Sequence, residues 1–465
     1  MMNPSKTSSA RRWNRYPKYK PSGVGWLGDI PDRWFQHHFR YAIKFLTDFD
    51  SNCSFSEMNK NISVDIGEPY AWFVRMTDFE NSRIGFVDGN RYCDEKTYNF
   101  LKKSKLFGNE LLFSKRGEIG KVYVMPKLKI ASTLGPNLYL ILLNDLLIPS
   151  FALYFFSSFY GQIQLNNANK STTLGALYKE DVKNFICVYP PLPEQHAIAA
   201  FLDRETARID ALIEKKERQI ELLQEKRVAL ISHAVTKGLD PNVKMKDSGI
   251  EWLCEVPEGW AVVRLKFYCS VNPSKTEIGF LPDDLEVSFL PMENLGEDHS
   301  LCLDLIKPLS EVWNAYTYFK ENDVILAKIT PCFENGKCSV CSGLKNKIGF
   351  GTTELHVLRA LNSIIPRFCY YIVQNHAFKS IGTELMFGTT GQKRLPDSYV
   401  KDYKQGIPPL SEQHAIAAFL DRETAHIDNT IDKIKVSKGK LEEYRSALIS
   451  AAVTGKIDVR REVTG

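Results

Sequence analysis

Pro190 to Asp210 reads PPLPEQHAIAAFLDRETARID, and Pro408 to Asp428 reads PPLSEQHAIAAFLDRETAHID. Nineteen of these 21 positions are identical; Pro193/Ser411 and Arg208/His426 differ. So long a match within one chain marks an internal repeat, which constrains architecture more than any local propensity. The match resumes downstream, where Ala229-Leu230-Ile231-Ser232 and Ala234-Val235-Thr236 recur as Ala447-Leu448-Ile449-Ser450 and Ala452-Val453-Thr454. A second repeated element opens each half, SGVGWLGDIPDRW at Ser22 to Trp34 and SGIEWLCEVPEGW at Ser248 to Trp260. The offset is 226 residues at the front element and 218 at the back one, so the modules between them differ in length by eight. The order is module, helix, module, helix.

The back elements are predicted to be helices. Pro190-Pro191 is a breaker, Pro193 suits the first helical position, and Glu194 suits the positive N-terminal end of a helix dipole. In the second copy Ser411 is available as the cap. Gly238 and Gly455 follow the last periodic residues, where helices commonly stop. In between, one position in seven is apolar: Leu202, Ile209, Leu223 and Leu230 in the first copy, with Lys216 as a charged break, and Leu420, Ile427, Ile434, Leu441 and Leu448 in the second. This register favours a coiled-coil seam over a helix lying on a globular core. Gly439 weakens the second helix by about 1 kcal/mol relative to Ala, which allows a bend there. If the helices pair, short connections favour an antiparallel return. The modules would then sit at opposite ends of a rod of about 65 Å, for about 43 residues at 1.5 Å each. Such a rod can hold two modules one or more DNA turns, about 34–36 Å each, apart.

The fold class expected is α/β (α+β), with two mixed modules separated by the long helices. The segments read as 1–21 a basic N-terminal stretch, 22–189 the first module, 190–240 a central helix, 248–407 the second module, and 408–458 a C-terminal helix. Each module carries short β-branched or aromatic runs, such as 121–124, 138–143, 324–326 and 355–358, separated by turn residues. A proline-initiated aromatic helix is expected in both, at Pro149 and Pro366. The modules match weakly at Phe113-Ser114-Lys115-Arg116-Gly117 through Lys121 and at Leu326-Ala327-Lys328-Ile329-Thr330-Pro331 through Asn335 and Lys337. Polar loops follow, one with Lys170, Thr172 and Thr173, the other with Thr389, Gln392, Lys393 and Arg394.

These loops offer what DNA contact requires. Lys and Arg neutralise phosphates, while Asn, Gln, Arg, Ser and Thr match base-edge donors and acceptors. The candidate DNA-contacting residues are Lys115, Arg116, Lys121, Lys170, Thr172, Thr173, Lys328, Thr330, Asn335, Lys337, Thr389, Gln392, Lys393 and Arg394. Read blandly, such residues are simply what solvated turns are made of.

Composition is permissive. The 465 residues, 44% hydrophobic and 25% charged, suffice for real cores and exclude a disordered chain, a disulfide miniprotein or a collagen-like fibre. Sixty Lys+Arg against 55 Asp+Glu leave +5, which permits a nucleic-acid partner without requiring one. The polar, basic N-terminus is not a secretory signal. The apolar stretch from Leu134 to Tyr160 is interrupted by Asn144, Asp145 and Pro149, and reads as strand, turn and helix, not a membrane span. Ten scattered cysteines fit reduced thiols in a cytoplasm.

Catalytic motifs are not found. The nearest string to a methyltransferase tetrapeptide is Tyr189-Pro190-Pro191-Leu192, but its copy begins with Ile407, which cannot hydrogen-bond an amine. Gly117 to Lys121 is too short for a P-loop, and Pro282-Asp283-Asp284 lacks the acid-x-Lys of a nuclease. Cys338 and Cys341 have finger-like spacing, with Cys332, His356 or Cys369 nearby, yet no second pair exists and buried cysteines are the better reading. His196 and His414 have no metal or triad partner at helical spacing and read as structural. No catalytic residue and no metal site is assigned.

The duplicated PPLxEQ helix, each copy preceded by the Gly-x-x-Trp-Leu-x-x-x-Pro-x-x-Trp opening (Gly23, Trp26, Leu27, Pro31, Trp34; Gly249, Trp252, Leu253, Pro257, Trp260), resembles the specificity subunit of type I restriction-modification systems. The run at 328–337 resembles that family's target-recognition domain. The resemblance implies a non-catalytic reader of double-stranded DNA, each module taking one half of a bipartite, asymmetric site, with the helices setting the spacer. It implies two modification subunits, which bind S-adenosylmethionine and methylate adenine, and two restriction subunits that use ATP and Mg. This chain would itself carry no cofactor. Two other classes stay open: a coiled-coil scaffold linking two protein-binding modules, and an autonomous DNA methyltransferase.

Overall fold

The structure is a computed structural model that describes residues 13–52, 54–66, 68–80, 83–84, 90–169, 175–389 and 391–460. The chain forms two compact units: Met1–Lys215 with Val436–Gly465 (unit 1), and Lys216–Lys435 (unit 2). The division cuts both long helices, Leu192–Lys237 and Leu410–Val453.

Unit 1 holds two four-stranded sheets. One has the order Val122–Val124, Leu111–Ser114, Leu138–Leu143, Ile43–Asp48, with every neighbour antiparallel. The other has the order Tyr92–Cys93, Ala71–Val74, Ser132–Leu134, Lys105–Leu106, and its central pair is parallel. Unit 2 repeats both patterns. Its antiparallel sheet runs Cys269–Val271, Leu355–Ala360, Val324–Ala327, Cys338–Val340. Its second runs Ile306–Pro308, Glu286–Leu290, Ile348–Gly351, Thr317–Lys320, again with a parallel central pair. The repeat thus extends through modules whose sequences scarcely match. The reason is that a strand needs only an apolar, β-branched or aromatic run bounded by turns.

The aromatic helices begin at the expected prolines, Pro149–Ser157 and Pro366–Gln374, each followed by a second helix, Phe159–Asn167 or His376–Leu385. Pro suits that first position because its missing N–H has no intrahelical partner to lose. In unit 1 they bury Phe151, Phe155 and Phe156 against Phe39 and Phe113, with the Phe39 and Phe156 rings 4.8 Å apart. In unit 2, Phe368, Tyr371 and Phe378 join Trp260, Leu265 and Leu420.

The front and back repeats meet in each unit, which explains why both were legible. In unit 1 the Trp34 indole N–H donates to Glu194 at 3.0 Å, and the Tyr16 hydroxyl donates to the same carboxylate at 2.6 Å. In unit 2 the Trp260 indole donates to Glu412 at 3.1 Å. Gln195 accepts from the Ile148 N–H and donates to the carbonyls of Leu146 and Pro190. Gln413 does the same with Ile365, Ser363 and Pro408. Each Glu–Gln pair therefore fastens a helix start to both the front element and the loop before the aromatic helix. Ser411 is not the cap. The first intrahelical bonds are accepted by the carbonyls of Pro191 and Pro409, which puts Ser411 inside the helix.

The front elements also receive helix ends. Lys456 donates to the carbonyls of Leu27 and Asp29, and Lys237 to those of Leu253 and Glu255. Gly455 stops its helix at φ +70°, and a Cβ there would lie 2.3 Å from Pro31, so only glycine fits. Residues 13–21 pack within unit 1. Trp13 meets Phe201 edge-on at 5.1 Å, and Tyr19–Pro21 pairs with Asp29–Pro31. Met245–Asp247 pairs with Glu255–Pro257 likewise, so the front repeat starts upstream of Ser22 and Ser248.

Leu202, Ile209, Leu420, Ile427 and Leu448 are buried, and Leu223, Leu230, Ile434 and Leu441 are half-buried. In unit 1 the Arg445 guanidinium donates to Asp210 at 2.7 Å; in unit 2 Arg227 lies 3.2 Å from Asp428. The second helix runs unbroken through Gly439. Among the described residues, no helix is long and apolar enough to cross a membrane.

Candidate nucleic-acid interface

The two loop sets singled out in the sequence come together in unit 2, and in unit 1 the first set meets residues 175–177. In unit 2 the loop after Val324–Ala327 lies beside residues 387–395: Leu395 N–H donates to the Lys328 carbonyl at 2.7 Å, and Thr330 N–H donates to the Lys393 carbonyl at 3.0 Å. The Lys393 N–H returns a bond to Thr330 Oγ1 at 3.1 Å. In unit 1 the loop after Leu111–Ser114 is bridged to residues 175–177: Leu177 N–H donates to the Lys115 carbonyl at 3.0 Å, and Gly117 N–H to the Gly175 carbonyl at 3.1 Å. The side chains beneath correspond too. The Tyr139 hydroxyl donates to the Leu177 carbonyl at 2.9 Å, where His356 Nε2 meets the Leu395 carbonyl at 2.9 Å.

The cations differ in how far they are committed. Lys115 bonds Asp48 at 2.6 Å and also reaches Asp50, while Lys179 holds the other Asp48 oxygen at 2.9 Å. Burial alone would raise the Asp48 pKa, but hydrogen bonds from Lys115, Ser51 and Lys179 outweigh it and hold the carboxyl at about 2. Lys115 is therefore a structural counter-ion as well as a candidate contact. Arg394 offers its fork to both oxygens of Glu354, at 2.9 and 2.6 Å, and this pairing pulls the Glu354 carboxyl below its ordinary value. Lys121 is exposed and paired with Glu118. Asn335 donates to Glu297 at 2.6 Å, and Lys337 to the Met292 carbonyl at 3.3 Å. Arg116, Thr389, Gln392 and Lys393 are exposed, and Lys328 and Thr330 half-exposed. Lys170, Thr172 and Thr173 lie outside the described residues.

One wall of the site was not anticipated. In unit 1 the turn Met76–Asp78 borders a cleft of about 510 Å³ together with Gly117, Glu118, Lys121 and Gly175. Met292–Asn294 follows the corresponding strand in unit 2, beside Lys337. The available signal was a Met, one residue, then Asp or Asn, after a buried strand in both modules, which is too short to stand out unaided.

Cys338 and Cys341 are fully buried, and His356 is engaged through both ring nitrogens, with Asn272 and Leu395. His196 and His414 are exposed on their helices.

Comparison with known proteins gives concordant likenesses. The family described as "Type I restriction modification DNA specificity domain" matches residues 67–222 and 257–437. The chain is 39% identical over 164 residues to the EcoEI type I restriction enzyme specificity subunit of Escherichia coli, a match covering 35% of this chain and 27% of that one. It is 40% identical over 166 residues to the Escherichia coli EcoAI specificity subunit, again covering 35% and 27%. These matches thus span about a quarter of each of those relatives. A putative MjaX specificity subunit of Methanocaldococcus jannaschii matches at 23% identity over 93% of this chain and 96% of its own. Among solved structures, a chain from a study of assembly and conformational transition of the type I R-M system superposes with a TM-score of 0.68 at 15% identity, covering 92% of this chain and 99% of that one. The HsdS subunit from Thermoanaerobacter tengcongensis gives 0.50 at 16% identity, covering 92% and 98%.

Proposed function

We propose that this chain, which belongs to the type I restriction-modification DNA specificity family, is a non-catalytic reader of a bipartite, asymmetric site in double-stranded DNA. Each unit takes one half-site. The observation that carries this reading is the same loop-on-loop platform in both units, Leu177 on Lys115 and Leu395 on Lys328, displaying different side chains. A common scaffold with divergent tips suits two readings by one mechanism, with exposed cations on phosphates and polar tips on base edges.

The long helices set the distance between half-sites and dock the partners. Their 46 and 44 residues correspond to about 69 and 66 Å at 1.5 Å each. Pro191/Pro409, Leu192/Leu410, His196/His414, Ala200/Ala418 and Arg204/Arg422 are identical and exposed in both copies. Core packing cannot demand identity at exposed positions. A shared partner can, and two modification subunits carrying S-adenosylmethionine fit that demand, with two ATP- and Mg-dependent restriction subunits completing the complex. Residues 115, 116, 121, 170, 172, 173, 328, 330, 335, 337, 389, 392, 393 and 394 are the proposed DNA-facing set.

The test is an exchange of residues 35–180 for the corresponding module of a relative, with adenine methylation mapped after co-expression with the modification subunit. One half-site should change while the other and the spacer persist. A change in both halves would refute the division of labour.

A further inference from the structure

We infer that the turn after the parallel strand of each unit presents a base-reading side chain, Thr77 in unit 1 and Glu293 in unit 2, and that Glu293 accepts a hydrogen bond from a cytosine amino group. This rests on the DNA-reading role proposed above.

In unit 1, strand Ala71–Val74 leads into the Met76–Asp78 turn. Asp78 is 1% exposed and accepts from the Arg75 backbone N–H at 2.8 Å and from its guanidinium at 3.0 Å, which fixes the turn. Thr77 is exposed and lines the cleft with Gly117, Lys121 and Gly175. In unit 2, strand Glu286–Leu290 leads into Met292–Asn294. Asn294 donates to the Cys302 carbonyl at 3.2 Å, and Lys337 donates to the Met292 carbonyl at 3.3 Å, so this turn lies against the loop that carries Asn335 and Lys337. Glu293 is exposed between them and takes part in none of the hydrogen bonds or ion pairs found among the described residues.

An ionised carboxylate is acceptor-only. On a face that binds DNA it is repelled by phosphate oxygens, so the groups it can meet favourably are amino groups on base edges. Of these, cytosine N4 is the donor that Asp and Glu match in the major groove. A threonine hydroxyl both donates and accepts and makes no such demand. One backbone position thus yields two readings, as dissimilar half-sites require.

The experiment is co-expression of wild type, Glu293→Gln, Glu293→Ala and Thr77→Val with the modification subunit, followed by genome-wide mapping of methylated adenine. For Glu293→Ala, one base pair in the half-site read by residues 248–407 should relax. Methylation of sites altered at that pair should rise about tenfold, the scale of one good base contact. Glu293→Gln should alter the same pair, Thr77→Val should act on the other half alone, and the spacer should not move. An unchanged motif in both Glu293 variants would overturn the inference. So would a change spread over several positions, which marks a structural role, or loss of all methylation by folded Glu293→Gln. A wild-type map without a bipartite site would instead overturn the function proposed above.

Discussion

Replacing Gln413 by Ala isolates the joint between a long helix and its module. Gln413 is fully buried; it accepts from Ile365 N–H at 2.9 Å and donates to the carbonyls of Ser363 at 3.0 Å and Pro408 at 2.9 Å. Alanine would strand one donor and two acceptors. Ser363 is exposed and can turn to water, whereas Ile365 is half-buried and Pro408 buried. A stranded buried group and a stranded half-buried one, at about 1–3 kcal/mol each, give a loss of about 3 kcal/mol. Gln413→Glu keeps the shape but loses both donated bonds, and should cost a similar amount. Since the chain forms two units, one unfolding transition is not assured. The assay is therefore hydrogen exchange resolved by segment. Protection of Ala261–Arg264 and Lys404–Ile407 should fall roughly 100-fold, about 3 kcal/mol at 1.4 per tenfold, while strand Leu138–Leu143 in unit 1 is unaffected. Gln195→Ala should invert this pattern. Protection changed less than about threefold by both alanine variants would refute the view that this glutamine fastens helix to module.

Other expectations follow from charge and length. Lys121→Ala should leave stability unchanged and reduce the salt slope of DNA binding by about one, whereas Lys115→Ala should cost about 2 kcal/mol of stability by leaving the buried Asp48 with only Lys179 and Ser51; equal effects would sink the distinction. His299 is held at about 4, below its ordinary 6.5, first by burial and then by the Arg227 charge, with Lys379 adding and Asp298 opposing. The unfolded chain binds that proton first, so the contribution is full above about pH 6.5 and is lost as pH falls towards 4. His299→Asn, which retains a donor for the Cys338 carbonyl, should flatten the acid limb of unit 2 stability; an unaltered limb would contradict this. Matched seven-residue insertions in both long helices, keeping the heptad, should lengthen the spacer by about 3 base pairs, from about 10 Å of added helix. An unchanged spacer would rule out the ruler.

The repeated Glu194/Glu412 and Gln195/Gln413, the front tryptophans and the sevenfold seam could be read before any coordinates, because each answers to a local rule: a period, a cap, a breaker or a duplicated string. An antiparallel return of the second helix was favoured by the chain order, because short connections bring the second helix back along the first. The pairing of loop 115–121 with 175–177, and of 328–337 with 387–395, could be anticipated only as shared polarity. The commitment of Lys115 to Asp48, the fork of Arg394 on Glu354 and the Met76–Asp78 wall were decided by tertiary structure alone. They join residues far apart in sequence, and a hydrogen bond or ion pair depends on where the fold sets two groups, of which a single string of letters holds no record. The matching sheets show the same limit from the other side: strand order is set by which apolar faces cover one another in space, so two dissimilar sequences reach one topology.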